Sequence, residues 1–224
     1  LTAAEPAPAL RAAFRATVSS GAAVRQIEFD PLQGAAGQFR LLTEYGDDEE
    51  LDSIVNDWAS EAQPDVRLFA DDLRPSLGRE RIVPDGDWWR AEFQHRLSSN
   101  DSDIDAMVST SMRGNLVLDR ETGLLSQLEY RLIKPFRTED GAVVKSYAQT
   151  YQFAHSERWG VTFVSGYSLH ATGGKYGVRG SRSFQVKITD VAFSFAGDAG
   201  QELASKPIDE VVSSSALYAG ADLR

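Results

Sequence analysis

Residues 130–154 read YRLIKPFRTEDGAVVKSYAQTYQFA. Before the KPF corner, Leu128, Tyr130 and Leu132 alternate with Gln127, Glu129 and Arg131. After it, Val143, Lys145, Tyr147, Gln149, Tyr151 and Phe153 alternate with small Ser146, Ala148 and Thr150. A strict period of two over these lengths specifies strands, and two such runs flanking a turn specify antiparallel neighbours. One side of this pair carries a row of large rings, which form either an ordinary core or the wall of a cavity.

The same alternation continues outward in both directions. Met112, Leu116 and Leu118 precede a tight turn at DRETG, 119–123, so a further hairpin is expected there. Downstream come Val161, Phe163, Tyr167 and Leu169, a Gly-rich bend, Tyr176, Val178, Phe184, Val186 and Ile188, and then Val191, Phe193 and Phe195. Upstream, residues 10–18, 24–29, 39–45 and 88–97 read as strands, while 66–77 and 81–83 read as short, irregular candidates. Only 47–62 has another period. Leu51, Ile54, Val55 and Trp58 fall at i, i+3, i+4 and i+7, and Asp47, Asp48, Glu49 and Glu50 crowd the first turn, where acids suit the helix dipole. Pro64 ends that helix.

Roughly nine to eleven antiparallel strands in meander order and one helix are therefore expected. The fold class is mainly β, in a single domain over 1–224 with a helical insertion at about 47–62 and an extension at about 197–224. A sheet this wide curls into an incomplete barrel, and a lone amphipathic helix needs its surface to lie on.

Composition narrows the function classes. The chain has 224 residues, 42% apolar and 25% charged, in the ordinary globular range. No run approaches the roughly 18 apolar residues of a membrane-spanning helix. A formal charge of −10 argues against nucleic acid and anionic lipid surfaces, and no stable membrane insertion is expected. Cysteine is absent, which excludes disulfides and thiolate chemistry. The opening LTAAEPAPAL resembles the start of a mature chain whose signal peptide has been removed, so a periplasmic or secreted location is expected.

Catalytic and metal motifs fail in context. His95, His155 and His170 are scattered; Asp101, Asp103 and Asp105 begin like a calcium loop, but Ala106 and Met112 stand where Gly and Glu should. Gly173, Gly174, Gly177 and Gly180 lack the Lys-Ser/Thr ending and the helix of a phosphate loop and read instead as bends in a wide sheet. No catalytic residue, metal or cofactor is assigned.

What remains is the row of rings. Leu116, Leu118, Leu128, Tyr130, Leu132, Tyr147, Tyr151, Phe163, Tyr167 and Phe184 offer more inward apolar surface than the stripe of Leu51, Ile54, Val55 and Trp58 can cover, and together with Trp58, Trp89, Phe93 and Phe136 they are the expected ligand-binding residues. Each such side chain gains about 1.5–3 kcal/mol from full burial, so a ligand or partner is expected to take the place of water.

The start LRAAFRATVSSGAAVRQIEF, followed by a curved meander and an internal helix, resembles the periplasmic lipoprotein-carrier (LolA/LolB-like) fold superfamily. The segments GNLVLDRETGLLSQLEYRLIKPFRTEDGAVVKSYAQTYQF and YSLHATGGKYGVRGSRSFQVKITDVAF are similar to uncharacterised proteobacterial secreted proteins of that look. The resemblance covers about residues 10–195 and is one of fold. It implies a half-barrel, a helical plug and an apolar cavity that accepts acyl chains; no acyl-gating arginine aligns. The leading expectation is thus a non-enzymatic periplasmic carrier of a lipid or acyl chain. The alternatives are a structural or protein-interaction module pairing with an envelope protein, and, third, a hydrolase using carboxylates with His95 or His170.

Overall fold

The computed structural model describes residues 10–33, 37–60, 77–96, 111–138, 141–176 and 178–195. The calcium-like run 101–105, the candidate at 66–76 and the extension 197–224 lie outside them. The strands are β1 (Leu10–Ser20), β2 (Ala23–Phe29), β3 (Phe39–Tyr45), β4 (Leu77–Asp85), β5 (Trp88–His95), β6 (Met112–Asp119), β7 (Leu125–Leu132), β8 (Phe136–Arg137), β9 (Val143–Ser156), β10 (Val161–Lys175) and β11 (Val178–Phe195). Among the described residues one α-helix, α1 (Glu49–Ser60), follows β3. It is not long and apolar enough to cross a membrane.

All eleven strands join one antiparallel sheet in the order β3-β2-β1-β11-β10-β9-β7-β6-β5-β4, with two-residue β8 paired to β9. The expected meander is therefore corrected at one point. The first three strands and the last eight each run as meanders, but they meet through β1 and β11, with Leu10 opposite Phe195 and Val18 opposite Val186. Among the described residues β3 and β4, neighbours in the order of strands along the chain, are the two edges, and the sheet is not closed.

One cross-strand row crosses all ten strands of that path: Ile82, Ala91, Leu116, Leu128, Tyr151, Tyr167, Val186, Val18, Arg25 and Glu44. At ~4.8 Å per strand it is roughly 43 Å long. The adjacent row, on the opposite face, is Val83, Arg90, Val117, Gln127, Gln152, Gly166, Lys187, Thr17, Gln26 and Thr43. Apolar side chains fill the middle of the first row and occur only twice in the second. Successive residues of a strand point to opposite faces, so along these rows the sheet has one core face.

α1 lies on that face. Leu51, Ile54, Val55 and Trp58 are all buried in the same core as Val18, Ile27 and Phe29 of β1 and β2. Its start is fixed by Asp48, whose Oδ1 accepts the Leu51 N–H at 2.9 Å, a standard N-cap. Its flank is fixed by Arg25, a core-face residue of β2 with only 1% exposure. Arg25 Nε donates to Asp52 Oδ1 at 2.8 Å, and Nη1 donates to the carbonyls of Val24 and Tyr45 at 3.0 and 2.8 Å. Nη2 sits 2.7 Å from Asp52 Oδ1 and 3.4 Å from Glu44 Oε1, off the hydrogen-bonding axis, as ion pairs.

Candidate functional site

Most of the residues expected to face inward do so. Leu116, Leu128, Tyr151 and Tyr167 are consecutive members of the long row. One step along the strands, Phe93, Tyr130 and Phe184 share the next core-face row with Gly114, Gln149 and Leu169. There Gly114 is a necessity of packing. The Phe93 ring lies over its backbone, and a Cβ on residue 114 would stand 2.1 Å from that ring. Phe93 then meets Tyr130 edge to face, with centroids 5.7 Å apart.

Burial divides this face. Phe93, Leu116, Leu118, Leu128, Tyr130 and Phe184 are buried, as is Trp58. Leu132, Phe136, Tyr147, Tyr151 and Tyr167 are only half-buried, although they belong to the same face or its margin. The principal contacts of α1 are with β1 and β2, and Glu50 in its first turn reaches β11 by pairing with Arg182 at 2.7 Å. The half-buried tyrosines stand on β9 and β10, the next strands along.

These rings form a connected group around one amide. Gln149 Nε2 donates to Tyr151 Oη at 2.8 Å and to Tyr167 Oη at 3.0 Å, while Tyr147 Oη donates to Gln149 Oε1 at 3.1 Å. Tyr151 and Tyr167 also meet edge to face at 5.0 Å, and Tyr167 tilts against Phe184 at 5.6 Å. An apolar wall with one hydrogen-bonded polar centre is the usual make-up of a small-molecule site. Gln149 is legible in the sequence as an inward residue but is not among the expected site residues. The signal is the spacing of Tyr147, Gln149 and Tyr151, which puts an amide between two phenols on one face.

Three expected members stand apart. Phe163 packs against Phe193 at 5.5 Å, in a second cluster with Trp159 and Phe195. Trp89 lies two residues beyond the long row, at the turn end of β5, with the Arg120 guanidinium over its ring at 5.2 Å. Phe136 is on β8, opposite Val144, at the margin. Of the histidines, His95 packs edge to face on Tyr130 at 5.4 Å, and His155 Nδ1 lies 3.1 Å from Thr162 Oγ1. Among the described residues no group of three or more His, Asp or Glu could hold a metal ion.

No protein-family model matches the chain, and no curated protein or solved structure matches it. The site therefore stands on its geometry.

Proposed function

We propose that the chain is a binding or carrier protein that shelters a hydrophobic ligand, a lipid or acyl chain, against the core face of a curled sheet. The observation that carries this reading is the half-burial of Tyr147, Tyr151 and Tyr167, rings on the core face beyond the principal contacts of α1. Large apolar groups left beside water on a core face are costly, and a ligand relieves that cost. The Gln149 cluster adds a polar centre against which a carbonyl or hydroxyl of the ligand can orient. Register shifts in β1/β11, β2/β3, β4/β5, β6/β7 and twice in β9/β10 support curling, because each bulge bends its strand and increases twist. In this reading the sheet is an incomplete barrel of the LolA/LolB-like kind, α1 is its partial plug, and the periplasm is its compartment.

Organic extraction of the purified chain, with native mass spectrometry of the intact protein, tests the reading. A bound lipid-class adduct that is lost on substituting Tyr151→Asp is the expected result. Absence of any adduct, together with no uptake of added fatty acid, would overturn it.

A second reading, an interaction module of the envelope, is favoured by the two open edges. Leu41 and Tyr45 on β3, and Ile82 and Val83 on β4, are exposed on strands that have one unpaired side among the described residues. Its mark is a stable protein partner that is lost on placing charge at Ile82 or Leu41.

A further inference from the structure

β9, β10 and β11, with two-residue β8 on the flank of β9, run on beyond the other described strands. β1 pairs with β11 only as far as Ser19 opposite Gln185, whereas β10 stays paired with β11 to Lys175 opposite Val178. The projection ends in two exposed apolar side chains, Tyr176 at 90% and Val178 at 72% exposure. Tyr176 also has a left-handed backbone, φ 52°, a conformation that costs a bulky residue more than Asn or Gly. Its ring meets the Lys175 ammonium, 5.2 Å from the centroid, and the rest of this strained aromatic faces solvent.

Within β10 and β11 the charge is the reverse of the molecule's, although Glu139 and Asp140 belong to the short connection between β8 and β9 and Glu50 reaches Arg182. From Trp159 to Thr189 the sequence contains Lys175, Arg179, Arg182 and Lys187 and no Asp or Glu, in a chain of formal charge −10. Behind the tip, Lys145, Thr172, Gly173, Arg179, Gly180 and Ser181 line an open groove of about 370 Å³. Gly173 is required there by the close approach of β9, since a Cβ would stand 2.4 Å from the Val143 carbonyl oxygen. Arg182 is engaged by Glu50, but among the described residues no ion pair holds Lys145 or Arg179. Arg137 shares the cross-strand row of Val143, Gly174 and Arg179 and so lies on the same end of the sheet.

We infer that this end of the sheet docks on an anionic lipid surface: Tyr176 and Val178 enter the interfacial layer while Lys145 and Arg179 hold a lipid phosphate in the groove. An aromatic and an aliphatic tip flanked by long basic side chains is the composition that partitions to a headgroup layer, where rings settle and lysines and arginines extend to phosphate. The net negative charge does not oppose this. Screening confines electrostatics to about 8 Å at physiological salt, so the local basic end decides at contact. The docking is peripheral and uses no spanning segment, and it stands independently of the ligand reading.

Co-sedimentation of the full chain with phosphatidylglycerol/phosphatidylcholine vesicles, and with phosphatidylcholine alone, tests it. Binding to the anionic vesicles only, weakening with added salt, is expected. Tyr176→Asn with Val178→Ser removes the tip at a backbone that Asn adopts readily, so the melting temperature holds while vesicle affinity falls at least about tenfold. Lys145→Gln with Arg179→Gln lowers affinity about 25-fold, since each basic side chain at such a surface contributes about fivefold. Equal binding to phosphatidylcholine, no binding to anionic vesicles, or unchanged binding of both double variants overturns the inference. So does binding of glycerol phosphate in the groove without binding to vesicles, which would mark a soluble-anion site only.

Discussion

Arg25 sits where the alternation of β2 requires an apolar residue, on the face of Ile27 and Phe29, and it is buried with its guanidinium spread over three acceptors. Breaking a buried pair by removing one partner costs about 3–5 kcal/mol, but the Asp52 side chain is 43% exposed and regains water when released. Arg25→Met is therefore expected to destabilise by about 2 kcal/mol in urea denaturation. Arg25→Lys should restore less than half of that, because one ammonium cannot reach the carboxylate and both carbonyls as a planar fork does. Gly114 makes the opposite demand. Gly114→Ala puts a methyl into the Phe93 ring, and overpacking of this kind costs about 1–3 kcal/mol. The pair Gly114→Ala/Phe93→Leu should recover part of it in the same assay. Both residues violate a simple polar-out, apolar-in pattern. An inward Arg and a mid-strand Gly are visible in the sequence as departures, but their partners, Asp52 on the helix and Phe93 on the neighbouring strand, depend on register.

At the scale of elements, α1 is the most legible part, because its stripe has a period that no strand shares. Its acidic first turn is legible in outline too, and the structure separates the roles. Asp48 caps, while Asp52 takes the arginine and Glu50 reaches Arg182. The Asp48 carboxyl is held below its ordinary 3.8 chiefly by the Leu51 N–H and then by the Ser20 side chain, both of which favour the ionised form. The folded state therefore binds this proton less readily than the unfolded chain. The cap's stabilisation is complete above the ordinary carboxylate range and is lost as pH falls through the lower folded value. Asp48→Ala should cost about 1 kcal/mol at pH 7, while Asp48→Asn, an equally good cap, should keep that stability and flatten its fall in acid. Thermal melts of the three proteins between neutral pH and pH ~3 check this. β4 is the least legible element. LGRERIVPD lacks alternation because, as an edge, it is largely exposed on both faces and no core selects its residues. The long β10 and β11 look like shorter pieces in the sequence, since Gly173, Gly174 and Gly180 interrupt the pattern, and Asp190 at φ 52° marks a bulge that shifts the facing of Val191 to Phe195.

For the whole molecule, local alternation tells how many strands there are but not which of them meet. Pairing β1 with β11 is a long-range choice that no short window contains, and it turns two meanders into one sheet with β1 and β11 in its interior. Protection from hydrogen exchange should follow that order. β1, β11 and β10, paired on both sides, should exchange slowest, and β3 and β4 fastest, despite their being neighbours in sequence. Native-state exchange read by mass spectrometry resolves these peptides, and protection of β4 equal to that of β1 would contradict the pairing order.

The junction of β1 and β11 also dictates how the chain acquires its structure. The first strand waits unpaired on one side until the last has been made, so closing Leu10 against Phe195 carries nearly the largest loop entropy the described chain can offer. Folding should be slow, and the β1/β11 junction should form late, only after the whole span from Leu10 to Phe195 has been made. A circular permutant cut between α1 and β4, with β11 tethered to β1, would carry the strands of the sheet path in spatial order. It should fold markedly faster to the same sheet, which stopped-flow refolding of the two forms would measure directly.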